Sequence, residues 1–150
     1  MFQDITWEEV QQLQEQGEVA LIDVRSPSEF KDATIPGSMN IPLFDDEERA
    51  IVGTAYKQES VEAAKQKGLE IVAAKLPDFV RAFGDVGRTK KAVFCWRGGM
   101  RSKTSATLAA LMDHQMYRIT GGYRAYRNWV VKTLEQISTL PPIYCINGYT

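Results

Sequence analysis

The sequence predicts an α/β fold with a mainly parallel central sheet, helices on both faces and one helical insertion. Short apolar runs of strand length alternate with helical segments along the 150 residues, which is the pattern of βαβ units. The composition, 44% hydrophobic and 25% charged, is ordinary for a globular domain. No apolar run reaches the length of a membrane span, so we expect no contact with a membrane.

The first 42 residues predict one helix and two strands. Thr6 and Glu9 form a capping box, which opens a helix that runs to about Gln16. The apolar run Val19–Val24 predicts a strand that is buried on both faces. A Pro-Gly break precedes a second short strand at Met39–Ile41.

Residues 44–84 predict the helical insertion. Asp45 and Asp46 suit the N-terminus of its first helix, because acidic side chains are favoured there. Ser60 is a candidate N-cap for a second helix. Pro77 marks the start or a kink of a further helical piece.

The remainder of the chain predicts three more strands and two more helices. The strands are Ala92–Cys95, Met116–Ile119 and Ile143–Ile146, and the helices are Ser102–Met112 and Tyr123–Ile137. In a parallel sheet, ligands bind beyond the carboxyl ends of the strands, so the loop after the first of these strands is the first candidate site.

Charge is distributed unevenly between the two halves. Residues 1–75 carry 7 Lys and Arg against 15 Asp and Glu, a balance of −8, whereas residues 76–150 carry 11 against 4, a balance of +7. Two interpretations remain open. The basic half faces an anionic partner, or the two halves pack together and neutralise each other.

The cysteine and histidine content excludes several classes of site. Two cysteines cannot build a disulfide framework, and the single histidine, His114, leaves no Cys/His zinc set. Cys145 lies within a predicted strand without basic neighbours and is interpreted as a structural thiol. The N-terminus lacks the features of a secretory signal. We therefore expect a cytoplasmic protein without a metal or a tightly bound cofactor.

Cys95 is the candidate catalytic nucleophile. It ends a predicted strand and precedes a glycine-rich loop and a helix, an arrangement that points backbone N–H groups at an anion and favours the thiolate. The thiolate is the nucleophile of covalent catalysis. The candidate substrate-binding residues follow it directly and are Arg97, Gly98, Gly99, Met100 and Arg101.

Three motifs in order resemble the signatures of the rhodanese family. They are Leu21–Arg25 with Glu29–Phe30 and Ile35–Pro42, then the Cys95 loop, then Ile119–Tyr126. The resemblance implies a rhodanese-like domain over residues 5–137, in which Asp23 is structural and Arg25 braces the loop. Thr34 stands where the family usually has His.

The length of the loop leaves a second enzyme class open. Cys95 to Arg101 spells Cys-x5-Arg, which resembles the loop of rhodanese-fold phosphatases and of arsenate reductases. The residues between them include no Asp or Glu to serve as a general acid. The same motifs are also compatible with a generic thiosulfate sulfurtransferase and with a non-catalytic docking module.

The insertion narrows the resemblance to the family of tRNA 2-selenouridine synthases. That family implies replacement of sulfur by selenium in wobble-position 2-thiouridine of tRNA, through an S-geranylated intermediate, with Cys95 carrying the chalcogen. Selenophosphate and geranyl diphosphate are then substrates of the full-length enzyme. Residues 138–150 are interpreted as a linker and the start of a truncated P-loop domain, with Gly148 as its first glycine. The oligomeric state is not predicted.

Overall fold

Five short strands form one all-parallel sheet in the computed structural model, which describes residues 1–87 and 90–136. In chain order the strands are β1 (Gln3–Ile5), β2 (Val19–Asp23), β3 (Met39–Asn40), β4 (Lys90–Phe94) and β5 (Gln115–Ile119). Their order across the sheet is β1-β5-β4-β2-β3, which confirms the predicted fold class. The sequence did not predict β1, because three residues with one buried side chain carry no periodic signal.

Six helices of the described residues connect the strands and cover the sheet. They are α1 (Trp7–Glu15), α2 (Pro27–Asp32), α3 (Asp46–Gln58), α4 (Val61–Gly84), α5 (Met100–Ala110) and α6 (Gly122–Glu135). The predicted capping box at Thr6 and Glu9 is present, and Asp45 and Ser60 cap α3 and α4 with their side chains. The helical insertion is therefore the pair α3 and α4.

Of the two alternatives for Pro77, the start or a kink of a further helical piece, the start is wrong. Pro77 lies inside α4, which is assigned as one helix from Val61 to Gly84. The proline is exposed, while Val72 and Phe79 on either side of it are buried in the core. Packing of both halves of α4 outweighs the loss of one helical hydrogen bond.

Two apolar clusters sandwich the sheet. Side chains alternate along the strands, so that Ile22 and Val93 point to one face while Leu21 and Ala92 point to the other. The first face packs against α4 and α5 through Phe79, Phe83, Ala106 and Ala109. The second face packs against α1 and α6 through Trp7, Val10, Tyr126 and Trp129. The predicted placement of helices on both faces is confirmed.

The carboxyl-terminal half of α6 departs from the prediction. Trp129 and Val130 are half-buried, but the predicted apolar positions Val131 and Leu134 are exposed. The predicted strand Ile143–Ile146, the interpretation of Cys145 and the linker at 138–150 lie outside the described residues. No helix of the described residues is long and apolar enough to cross a membrane.

Candidate active site

The loops that carry the predicted site residues leave the same edge of the sheet. β2 ends at Asp23, β4 at Phe94 and β5 at Ile119, and β4 pairs in parallel with both of the other strands. The segments that follow these strands therefore start side by side at the carboxyl edge, where open α/β sheets bind their ligands.

Cys95 follows β4 directly and is 4% exposed. The backbone N–H of Gly99 donates to its sulfur at 3.2 Å, and the Ser102 hydroxyl oxygen lies 3.3 Å from the same atom. Gly99 is the N-cap of α5, so the sulfur lies at the positive end of a helix, where negative charge is favoured. The hydroxyl of Ser102 also donates to the Gly99 carbonyl at 3.1 Å, which fixes its position beside the sulfur.

The loop rests on the turn that opens α6. The N–H of Tyr123 donates to the Cys95 carbonyl at 2.9 Å, and the N–H of Arg124 donates to the Trp96 carbonyl at 3.0 Å. Gly122 has a φ of +57°, and a Cβ at this position would lie 2.2 Å from the Cys95 carbonyl oxygen. The close approach of the two segments therefore requires glycine at 122.

Asp23 and Arg25 form a buried ion pair beneath the loop. Nη2 of Arg25 lies 2.7 Å from Oδ2 of Asp23 and also donates to the Ala33 carbonyl at 2.6 Å. The Thr34 hydroxyl donates to the same Asp23 oxygen at 2.9 Å, so the residue that replaces the usual histidine holds the carboxylate. The Arg25 guanidinium lies 4.6 Å from the ring centroid of Tyr123. This arrangement agrees with the expectation that Asp23 is structural and that Arg25 supports the loop.

Glu29 links the loop to the helical insertion. Its carboxylate accepts from Arg101 at 2.6 Å and 3.3 Å and pairs with Arg49 at 3.0 Å. Burial alone raises the pKa of the Glu29 carboxyl, but the hydrogen bond and charge of Arg101, helped by Ser26 and Arg49, lower the pKa below its ordinary value of 4.5. An anion bound by Arg101 must therefore share this guanidinium with Glu29.

The two oppositely charged halves neutralise each other in part. Three ion pairs of the described residues join an acidic residue of the first half to a basic residue of the second, namely Glu29–Arg101, Glu18–Lys90 and Asp4–Arg118. By contrast, no acidic side chain of the described residues pairs with Arg97, Arg124 or Arg127. Of these three arginines, Arg97 lies in the Cys95 loop, and the backbone N–H of Arg124 donates to this loop at the Trp96 carbonyl.

A shallow cleft opens between this loop and α6. It has a volume of about 230 Å³ and is lined by Arg97, Gly121, Arg124, Ala125 and Asn128. Arg97 and Arg124 are exposed. The cleft therefore presents one amide and two guanidinium groups that have no acidic partner among the described residues, beside the loop that follows Cys95.

The predicted site residues occupy different environments. Gly99 contacts the sulfur and Gly98 has a φ of +69°, whereas Met100 is exposed at the start of α5 and Arg97 faces the cleft. Arg101 points to Glu29 instead of standing free.

Sequence reasoning missed three contributors, Glu29, Ser102 and Gly122. The usable signals were that Ser102 lies in the first turn of the predicted helix and that the paired glycines Gly121 and Gly122 stand at the start of α6. No group of His, Cys, Asp and Glu among the described residues could hold a metal ion.

The chain is similar to curated proteins named tRNA 2-selenouridine synthase. It is 34% identical to the one from Bdellovibrio bacteriovorus over 143 residues, which are 90% of this chain and 36% of that protein. The corresponding protein from Serratia proteamaculans is 37% identical over 136 residues, 89% of this chain and 36% of that protein. The chain therefore spans about a third of the length of these relatives.

Solved structures share the fold. The N-terminal domain of a provisionally named ATP/GTP binding protein from Clostridium difficile 630 superposes with a TM-score of 0.77 at 34% identity, covering 85% of this chain and 98% of that one. The As/Sb reductase from Leishmania major, with a TM-score of 0.54 at 16% identity over 88% of this chain and 81% of that one, shows a likeness of fold alone.

A family model described as the rhodanese-like domain matches residues 6–128, which include the Cys95 loop, the turn before α6 and every strand except β1. This match covers most of the chain. It agrees with the parallel sheet and with the position of Cys95 at its carboxyl edge. The chain belongs to the rhodanese-like domain family.

Proposed function

We propose that this chain is the chalcogen-transfer domain of a tRNA 2-selenouridine synthase, a cytoplasmic transferase that replaces sulfur by selenium in wobble-position 2-thiouridine. The observation that carries the proposal is the sulfur of Cys95, which accepts the Gly99 N–H at the N-terminus of α5. The names of the relatives supply the substrate class, tRNA. Selenophosphate is the proposed selenium donor.

The first proposed step loads Cys95. Its thiolate attacks the selenium of selenophosphate, an S–Se bond forms and the Se–P bond breaks. The bonding electron pair stays on phosphorus, which takes up one proton from an acidic O–H of the donor or from water and leaves as phosphite, and a perselenide remains on Cys95. The Gly99 N–H donates to the sulfur and is suited to stabilise the negative charge before and after transfer.

The second proposed step delivers selenium to the RNA. The terminal selenium of Cys95 attacks C2 of S-geranylated 2-thiouridine, and the geranyl thiolate leaves. A low-molecular-weight thiol then attacks the Cys95 sulfur, which breaks the S–Se bond, releases the 2-selenouridine and leaves a mixed disulfide. A second thiol restores the cysteine. We assign the binding of geranyl diphosphate to a P-loop domain of the full-length enzyme rather than to residues 5–137.

Mass spectrometry of the intact protein tests the loading step. After incubation with thiosulfate or selenophosphate, we expect an adduct with the mass of one sulfur or one selenium atom on Cys95. Cys95→Ser should abolish the adduct, because a hydroxyl is scarcely ionised and cannot carry a persulfide or perselenide. Cys145→Ser is the matched control and should keep it. An adduct that survives in Cys95→Ser contradicts the proposal.

A further inference from the structure

The indole ring of Trp96 is partly exposed to solvent, and this residue is the neighbour of the candidate nucleophile in the chain. Trp96 follows Cys95 directly and is 37% exposed. Its ring packs at 5.5 Å against Tyr123, and the Arg25 guanidinium lies 6.0 Å from its centroid. Because Tyr123 and the buried Arg25 hold the indole from within, its orientation is set by the fold while part of its surface remains available.

The cleft of about 230 Å³ begins at the next residue. Arg97 and Arg124 line it without an acidic partner among the described residues, and Asn128 lies one helical turn beyond Arg124 on α6. Unpaired guanidinium groups bind phosphate in a bidentate manner, and an amide adds donors and an acceptor. Trp96 and the cleft are thus adjacent in the chain, and the N–H of Arg124 in the cleft donates to the Trp96 carbonyl at 3.0 Å.

We propose that Trp96 and this cleft form a nucleotide subsite for single-stranded RNA. A base stacks on the open part of the Trp96 indole, and the neighbouring phosphate is held between Arg97 and Arg124, with Asn128 assisting. The inference rests on the proposed function, because it supplies the binding of the RNA whose base Cys95 modifies. Aromatic rings take up unstacked bases, so the chemistry favours a single strand over a duplex.

Fluorescence anisotropy with a labelled single-stranded RNA heptamer tests the stacking contact. Every protein carries Cys95→Ser, so that no transfer chemistry interferes. Trp96→Leu should raise the Kd by about fivefold or more, since one base–aromatic stack contributes about 1–3 kcal/mol. Trp96→Phe should restore most of the affinity. The RNA duplex of the same sequence should bind more weakly than the single strand.

The salt dependence tests the phosphate contact. Arg124→Gln should reduce the slope of log K against log salt by about 0.7, the value for one phosphate contact to a single strand. Lys65→Gln is the control, because it also removes one positive charge. Lys65 lies on α4, which packs on the face of the sheet opposite to α6, so the slope should stay unchanged. Matched salt concentrations are essential to the comparison.

Three results would overturn the inference. They are an unchanged Kd in Trp96→Leu, equal binding of duplex and single strand, and equal slopes for the Arg124 and Lys65 variants. Loading of Cys95 by thiosulfate or selenophosphate is measured separately. Loading without RNA binding at the cleft would refute the subsite alone, whereas RNA binding without loading would refute the proposed transfer and leave the subsite standing.

Discussion

At the scale of single residues, the Cys95 loop depends on a close backbone contact that leaves room only for a glycine, Gly122. Gly122 faces the Cys95 carbonyl oxygen and the Gly98 nitrogen, and a Cβ would lie 2.2 Å and 2.6 Å from these atoms. Both neighbours are backbone atoms, so neither can rotate away as a side chain would. The position of the nucleophile is therefore linked to a glycine 27 residues further along the chain.

Gly122→Ala should destabilise the protein by about 2–5 kcal/mol, because the substitution adds a steric overlap to the cost of a positive φ. It should also displace the Cys95 carbonyl and reduce loading of the sulfur. Thermal unfolding and the mass-spectrometric assay measure the two effects. Gly53→Ala in α3 is the control, since nothing lies within 4 Å of its added Cβ, and alanine is favoured over glycine in a helix. A fully stable Gly122→Ala protein would contradict the contact.

The sequence was sufficient to predict the nucleophile of this site, but not the residues that pair with its side chains. Cys95 was identifiable because a cysteine at a strand end before paired glycines is a chemical pattern in the sequence. The partner of Arg101 was not, because Glu29 lies 72 residues away and is brought near only by the sheet order. Local periodicity does not encode such long-range pairs.

At the scale of elements, Glu29 connects three helices. It belongs to α2, pairs with Arg49 of α3 and binds Arg101 in the first turn of α5. The insertion is therefore joined to the helix that follows the nucleophile by one carboxylate with a side-chain exposure of 16%. Charge-assisted hydrogen bonds of this kind are stronger than neutral ones.

Glu29→Gln should cost about 1.5–3 kcal/mol of stability at pH 7, the range for hydrogen bonds to charged groups. The pKa of Glu29 is lowered in the folded state, so its contribution is present above the ordinary value of 4.5 and is lost as the pH falls through the folded-state pKa. Chemical denaturation at pH 7 and at lower pH should show a smaller acid-induced loss in the variant than in the wild type.

A surface pair provides the control for Glu29. Asp78 pairs with Arg81 at 2.7 Å, but both side chains are largely exposed. Asp78→Asn should change the stability by less than about 1 kcal/mol, because exposed ion pairs contribute little. Equal effects of the two substitutions would show that Glu29 is an ordinary surface charge.

Most elements were predictable because their patterns are local. The capping box at Thr6, the acidic start of α3 and the apolar strands are each recognisable within a few residues. The continuity of α4 through Pro77 was not predictable, because it depends on burial of Phe79 and Phe83 against the sheet. Tertiary packing there overrides a local helix-breaking residue.

At the scale of the whole molecule, one sheet separates two apolar clusters. The insertion helix α4 contributes Phe79 and Phe83 to the first cluster, where the two rings lie 5.3 Å apart. Trp7 and Trp129 belong to the opposite face, and Trp96 packs against Tyr123 on that same side. The fluorescence of the three tryptophans therefore reports on the face of the sheet that α4 does not cover.

Phe83→Ala should lower the free energy of unfolding by about 3–5 kcal/mol, because the ring is fully buried and its loss leaves a cavity. A sheet buried between two clusters couples them, so we expect one cooperative transition. Tryptophan fluorescence and far-UV circular dichroism should then shift together to lower denaturant concentration. Leu134→Ala, at a 58% exposed position of α6, should shift neither by a comparable amount. If only the dichroism shifts, α4 unfolds independently of the sheet, and the insertion is an appended unit rather than part of the domain core.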